Sequence, residues 1–326
     1  MSDLFCIGNA LVDVFARDEG FILSSRYGIS LPVQHIEIEK LKELISELPK
    51  YTAVSGGGTA NVAKIAGFLG AKTYFKGSVG SDDFGQLFEK NLADAGVNLN
   101  LKKSPSPTGI CLYLDGGKGK TRIAASPSAS LEFSESDINE EEIKKAALVL
   151  IDGFMLHRPG LVHHVIGLAA KNRIPAALDL SSPDIAADYA AVIMDYAKKD
   201  LILFMNEEEA GALFESLEAK DIGLNDALSF FKSISYEKQF PIIAVKLGAR
   251  GAKIIAGGKI YCAETEEIVP VDSTGAGDAF CAAFLCAWLL KKPLAECAAL
   301  GNRAAGIVLK KTGTQVEKEK LQKLIN

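Results

Sequence analysis

The sequence predicts an α/β fold: a mainly parallel sheet covered by helices on both faces, with a small antiparallel sheet projecting over one rim. Three observations predict it. Apolar runs of strand length alternate with helix-period stretches along most of the chain, the pattern of a parallel sheet buried on both sides. Two segments, 12–36 and 97–125, break that rhythm with short alternating runs and turn signals, as inserted hairpins do. The 326 residues, 48% of them hydrophobic, suffice for one large α/β domain.

The elements follow in order. Leu4 to Gly8 reads as a short apolar strand, and Glu37 to Leu48 spaces Leu41, Leu44, Ile45 and Leu48 along one helical face. Thr59 to Leu69 is a second helix, opened by Gly56-Gly57-Gly58; Lys72 to Val79 is a strand and Phe84 to Ala95 the helix after it. Strands at Leu148 to Asp152, Ala176 to Leu180, Leu201 to Met205 and Ile242 to Lys246 then alternate with helices at Gly160 to Lys171 and Glu207 to Glu215. Right-handed crossovers place the carboxyl ends of such strands on one rim, where ligands bind. Gly109 to Leu114, followed by Asp115-Gly116-Gly117, is a clear hairpin arm, and the two inserted segments together predict a lid. Glu317 to Leu324 predicts a short surface helix.

Composition narrows the function. A formal net charge of −5, with basic residues in short pairs such as Lys102-Lys103 and Lys310-Lys311, argues against a nucleic-acid groove. Met1-Ser2-Asp3 lacks the basic start of a signal peptide, and the apolar run Ala279 to Leu290 is shorter than the ~20 residues that span a bilayer. A soluble cytoplasmic protein without a membrane partner is expected. Cys6, Cys111, Cys262, Cys281, Cys286 and Cys297 are scattered without a CxxC, which predicts reduced, buried thiols. His163-His164 has no other ligand at metal spacing.

The chemistry concentrates at Asp272-Ser273-Thr274-Gly275-Ala276-Gly277-Asp278, a glycine turn that feeds the apolar helix from Ala279. Free amides at a helix start carry partial positive charge and form an anion site. Asp278, just inside that start, is placed to take a proton from a hydroxyl beside the anion. An anion cradle next to a base is what phosphoryl transfer to an alcohol requires. The same residues also serve a plain tight turn, with Asp278 as a first-turn partner of the helix dipole.

Other signatures are missing. No GxxxxGK[ST] is present, and Asp83-Phe84-Gly85 lacks the His-Arg-Asp loop of a protein kinase. Gly56-Gly57-Gly58 with Asn61 misses the third glycine of a dinucleotide fingerprint and has no clear strand-end acid about 20 residues on. A nicotinamide oxidoreductase is therefore disfavoured.

Several motifs, in order, carry a resemblance. The Asp272 to Asp278 run resembles the second signature of the ribokinase (PfkB) family of sugar and nucleoside kinases. Gly8-Asn9-Ala10-Leu11-Val12-Asp13 resembles the family's first strand with its substrate aspartate, and Ser55 to Asn61 its Gly-Gly…Asn substrate loop. Gly77 to Gly85 resembles its first signature, Asn206-Glu207-Glu208-Glu209 its Asn-x-x-Glu motif, and Val245 to Gly251 its nucleotide-side loop. The likeness runs over essentially the whole chain.

The resemblance implies a ribokinase-like three-layer αβα sandwich with a β lid, and transfer of the ATP γ-phosphoryl group to a hydroxyl of a small sugar. It implies Asp278 as general base, with the amides of Gly275, Ala276 and Gly277 on the phosphoryl group. Asp13, Gly57 and Asn61 would bind the acceptor. Asn206, Lys246, Gly248, Gly251, Thr274 and Asn302 would serve the nucleotide, and Glu209 would act on Mg²⁺ through water. Asp13 also suits a hinge turn, Asn206 a helix N-cap, and Asn302 a polar helix face. A monovalent cation such as K⁺ and a homodimer through the lid stay open. Lys246 stands where relatives often carry a small hydroxyl residue. Ala125 to Ser130 replaces a glycine-containing segment that tends to face substrate, so the acceptor does not carry over. The opening Gly8 to Asp13 leans toward the adenosine-kinase-like branch, which keeps a nucleoside acceptor as the alternative. A non-catalytic ligand sensor on the same fold is the alternative of another class; retention of both Asp278 and the glycine turn argues against it.

Overall fold

A computed structural model of the chain describes residues 3–197, 201–218, 223–237, 242–310 and 318–324. The strands, in chain order, are β1 (Leu4–Ile7), β2 (Leu11–Arg17), β3 (Val33–His35), β4 (Tyr51–Gly56), β5 (Thr73–Gly80), β6 (Asn98–Ser104), β7 (Gly109–Asp115), β8 (Thr121–Ser126), β9 (Leu148–Asp152), β10 (Ala176–Asp179), β11 (Leu201–Asn206), β12 (Ile242–Lys246), β13 (Ala252–Ala256) and β14 (Lys259–Ala263). They form a nine-stranded sheet of order β14-β13-β12-β11-β10-β9-β1-β5-β6 and a five-stranded sheet of order β3-β8-β7-β2-β4.

In the large sheet the run from β12 to β6 is parallel, and β13 and β14 add an antiparallel hairpin at one edge. Both faces are buried, so alternate residues of each strand enter opposite cores. Leu4 and Cys6 pack on one side with the helices Gly58–Phe68, Ala276–Leu289 and Leu294–Val308. Phe5 and Ile7 pack on the other with Pro159–Lys171 and Glu207–Glu218. That double burial is why these strands read as unbroken apolar runs. The helix that follows the glycine turn is buried nearly all round, from Ala279 to Ala287, as its composition requires.

Strand order reverses between β1 and β9: the chain proceeds from β1 outward through β5 and β6, then returns to build β9 to β12 on the other side. A crevice opens at such a switch point beyond the carboxyl ends of the strands.

Two allocations differ from the sequence expectation. Asn98–Ser104, expected within a lid insertion, is the outer strand of the large sheet, paired parallel with β5. As an edge strand it has an exposed face, so it alternates polar and apolar residues like a hairpin arm. Tyr51–Gly56, not expected as a strand, pairs antiparallel with β2 and closes the small sheet. The small sheet is mixed: β7 and β8 form the expected antiparallel hairpin, but β2–β7 and β3–β8 pair in parallel. Near the C-terminus the short helix is Lys318–Gln322 and buries Leu321; Glu317 lies outside the described residues. The six cysteines are free thiols, with Cys262 exposed and Cys111 half-buried rather than buried. No helix among the described residues is long and apolar enough to cross a membrane.

Candidate active site

The rim at the switch point collects polar groups from neighbouring strand ends. Asn9 follows β1, and Asp152, Asp179, Asn206 and Lys246 end β9, β10, β11 and β12. Above this row lies the glycine turn. Ala276 N–H donates to the Ser273 carbonyl at 3.2 Å, which closes a tight turn with Gly275 at φ 78° and ψ 0°. A side chain at that left-handed position would be strained, so glycine is required. One of the three amides expected on the phosphoryl group, that of Ala276, is thus used inside the turn. Those of Gly275 and Gly277 have no partner among the described residues. Thr274 is also engaged locally: its amide and hydroxyl both donate to Asp272 Oδ1, at 2.9 and 2.8 Å.

Asp278 is half-buried beneath this turn. Asn61 Nδ2 donates to its Oδ2 at 2.9 Å, joining two motifs 217 residues apart. Burial, then the charge of Asp179, push the Asp278 carboxyl up to about 7, against the opposing pull of Asn61 and Lys246. A carboxyl at that value is matched to proton abstraction near neutral pH.

Asp13, expected to bind the acceptor, is 3% exposed on β2. Burial, followed by the charge of Asp278, raises it to about 7, with Lys64 opposing. Gly57 precedes the helix Gly58–Phe68 at φ 96°, and a β-carbon there would lie 2.2 Å from the Asn9 carbonyl oxygen. Only glycine lets the chain turn so close to the β1 end. Asn61 Oδ1, Ser55 Oγ, Asp152 Oδ1 and Arg158 Nε are buried without a hydrogen-bond partner. Buried polar atoms are rarely left so, and Asn61 and Asp152 adjoin Asp278 in this crevice.

On the other side, Asn206 and Glu209 form a reciprocal cap. Asn206 N–H and Nδ2 donate to Glu209 Oε2 and Oε1 at 2.8 and 2.9 Å, and Glu209 N–H donates to Asn206 Oδ1 at 2.8 Å. This capping box fixes the start of Glu207–Glu218. Glu209 is 3% exposed, and burial with the nearby Asp179 charge raises it to about 7. Gly248 and Gly251, at φ 58° and 77°, close the loop after β12, where Leu247 N–H donates to the Gly251 carbonyl at 2.8 Å. Asn302 is buried rather than on a polar face. Its Nδ2 donates to the carbonyls of Ala263 and Glu264 at 3.0 and 3.1 Å, which ties the chain after β14 to the helix Leu294–Val308. Lys246, expected beside the nucleotide, turns inward to Asp179 at 2.9 and 3.0 Å.

The family profile described as pfkB family carbohydrate kinase matches residues 1–321. The chain belongs to the pfkB family. Adenosine kinase 2 of Arabidopsis thaliana is 27% identical over 335 residues, covering 95% of this chain and 94% of that protein. Ribokinase of Haemophilus influenzae is 26% identical, covering 81% and 84%. Among solved structures, a probable sugar kinase of Rhizobium etli superposes with a TM-score of 0.86 at 24% identity, covering 99% and 97%, a likeness of fold. The chain is accordingly a small-molecule kinase, a phosphotransferase with an alcohol as acceptor.

Sequence reasoning left several groups of this pfkB kinase unassigned. Asp152 ends β9 beside the switch point; burial raises it to about 6, with Thr59 Oγ1 donating to Oδ2 at 3.3 Å. Asp179 and Cys281 adjoin Lys246. Arg158 donates to Asn9 Oδ1 at 2.6 Å and to the carbonyls of Ser130 and Phe133 at 2.7 and 2.9 Å. The signal for both aspartates was present, an acid closing an apolar strand. Asp82 of the first signature is structural: it caps the helix Asp83–Asp94 through Gly85 N–H and takes Thr108 N–H and Oγ1 at 2.9 and 2.6 Å, one residue before β7.

Proposed function

We propose that the chain transfers the γ-phosphoryl group of ATP to a hydroxyl of a small sugar, with Asp278 as general base. The observation that carries this is the Asn61–Asp278 bond, which sets the acceptor loop, the base and the free amides of the glycine turn in one place. The acceptor O–H gives its proton to the Asp278 carboxylate as its oxygen bonds to the γ-phosphorus. The bond from phosphorus to the bridging oxygen breaks and ADP departs. The amides of Gly275 and Gly277 hold the transferring group, and each such donor is worth about 2.7–4 kcal/mol of barrier. Asp13 and Asn61 Oδ1 accept hydrogen bonds from acceptor hydroxyls, and the small sheet serves as the lid.

Among the described residues no three His, Cys, Asp or Glu side chains cluster to hold a metal. That fits Mg²⁺ brought by the nucleotide, which keeps several waters and needs only a carboxylate or two. Glu209, whose oxygens are held by Asn206, would meet it through water, and when bound it neutralises phosphate charge. Removing Mg²⁺ by chelation should abolish turnover, and the same assay with and without K⁺ reads any monovalent requirement. A second copy would pair on the open edge strands β3 or β4 of the lid.

A nucleoside acceptor is the second reading, favoured by one pair of rings. Phe15 and Tyr113 stack with centroids 4.8 Å apart and planes at 13°. They are cross-strand partners two residues along from the Asp13–Cys111 pair, hence on the same face as Asp13. A flat apolar wall beside the ribose-binding acid suits a base. Phe21 and Tyr27 do not contribute: the first lies under the Arg122 guanidinium, the second bonds Glu47.

An ADP-release assay over a panel of sugars and nucleosides tests both readings. Asp278→Asn should lower turnover on the accepted substrate by about 10²–10⁴-fold while ATP binding persists. Near-wild-type turnover in that variant removes Asp278 as the base, and ligand binding without turnover by the wild type selects the sensor.

A further inference from the structure

Lys246 has a place in the crevice that its expected nucleotide-side role does not describe. It ends β12, yet its ammonium lies 2.9 Å and 3.0 Å from the two carboxylate oxygens of Asp179, which ends β10 two strands away. Both side chains are largely buried, at 16% and 15% exposure. The ammonium sits under the glycine turn: a β-carbon built on Gly277 would lie 3.4 Å from Nζ. Cys281, one helical turn further, has its Sγ 4.0 Å from Nζ and donates to Asp179 Oδ2 at 3.1 Å. Although burial opposes it, the Asp179 charge holds the ammonium protonated, well above its ordinary range.

The charge balance at this rim gives that position meaning. Asp152, Asp179, Glu209 and Asp278 all lie along it, so an entering triphosphate meets an excess of negative charge. A helix start offsets only about half an elementary charge. Lys64 faces Asp13 and Arg158 faces Asp152 on the acceptor side. On the phosphate side, among the described residues, the buried basic group beside the glycine turn is Lys246.

We propose that Lys246 is a catalytic residue that binds the transferring phosphoryl group, with Asp179 holding its ammonium in place until phosphate arrives. The proposal rests on the kinase reading above. An ammonium offers three rotatable donors, so it exchanges a carboxylate for phosphate oxygens by a small side-chain rotation. Gly277 has no side chain to block that exchange.

The competing account is that Lys246 merely neutralises Asp179. Lys246→Met, Asp179→Asn and the double variant separate the two, assayed for kcat and for KM of ATP and acceptor. Lys246→Met should lower kcat by about 100-fold or more, the scale for one lost phosphate or oxyanion donor, with acceptor KM little changed. The double variant removes both charges of the pair, so it tests the lysine without a stranded Asp179 carboxylate. It should stay as slow as Lys246→Met. Recovery of the double variant to within about tenfold of wild type would assign Lys246 to neutralising Asp179 and overturn the proposal. The wild-type rate in the same assay judges the kinase reading, so the variants judge Lys246 alone.

Discussion

Asp278, which we propose as the general base, shows how its surroundings fit a carboxylate for that role. In water an aspartate ionises near pH 4 and is a weak proton acceptor. Here burial and the Asp179 charge raise it to about 7, while Asn61 and Lys246 keep the ionised form accessible. The sign is fixed by the role: a base works when deprotonated. We therefore expect kcat/KM to fall tenfold per pH unit below about 7, with a plateau above, as a pH–rate profile would show. A profile flat down to pH 5 would remove Asp278 as the titrating base. Neighbouring Asp13, also near 7, makes the limb a property of the pair rather than of one residue.

At the scale of elements, the Asn206–Glu209 box shows one motif meeting two demands. It starts the helix Glu207–Glu218 and it holds the Glu209 carboxylate at the rim. Asn206→Ala removes the cap and the side-chain donor to Glu209 Oε1, leaving the buried carboxylate only the backbone N–H of residue 206, so a loss of about 2 kcal/mol is expected by denaturant titration. A changed Mg²⁺ activation constant with unchanged stability would instead give Asn206 a metal role alone. Element periodicity made most helices and strands readable: Leu148–Asp152 and Ile242–Lys246 stand where the apolar runs put them. The β13–β14 hairpin went unread despite Gly257-Gly258 at its turn, because each strand is only five residues long, too short for a periodic pattern to stand out. Asn98–Ser104 misled for a different reason, since alternation reports one exposed face and not the sheet a strand joins.

Across the whole molecule, four crowded acids act against stability. Asp13, Asp278 and Glu209 are raised to about 7 and Asp152 to about 6, against roughly 4 in an unfolded chain. Between about pH 4 and 7 the folded protein therefore binds more protons than the unfolded chain, and stability falls as pH rises through that window. Acids whose values are lowered, such as Asp82 and Asp137, act the other way only below about pH 4. The ligand-free protein should have a higher denaturant midpoint at pH 5 than at pH 8, with a smaller difference in Asp278→Asn. The opposite slope would show that these carboxyls are not crowded in solution. The acceptor and the lid, by pairing the orphaned Asn61 Oδ1 and Asp152 Oδ1, are expected to recover part of the cost.

The sequence by itself determined the α/β alternation, the glycine turn with Asp278 at a helix start, and the order of the family motifs, because each is a short-range pattern written in neighbouring residues. Tertiary structure alone decided which charges meet. Strand order β12-β11-β10-β9-β1 brings Lys246 to Asp179 and sets Asp152 near Asp278. Helix packing brings Asn61 to Asp278 across 217 residues. Electrostatics depends on distance through space, and distances between remote segments exist only once the sheet has closed.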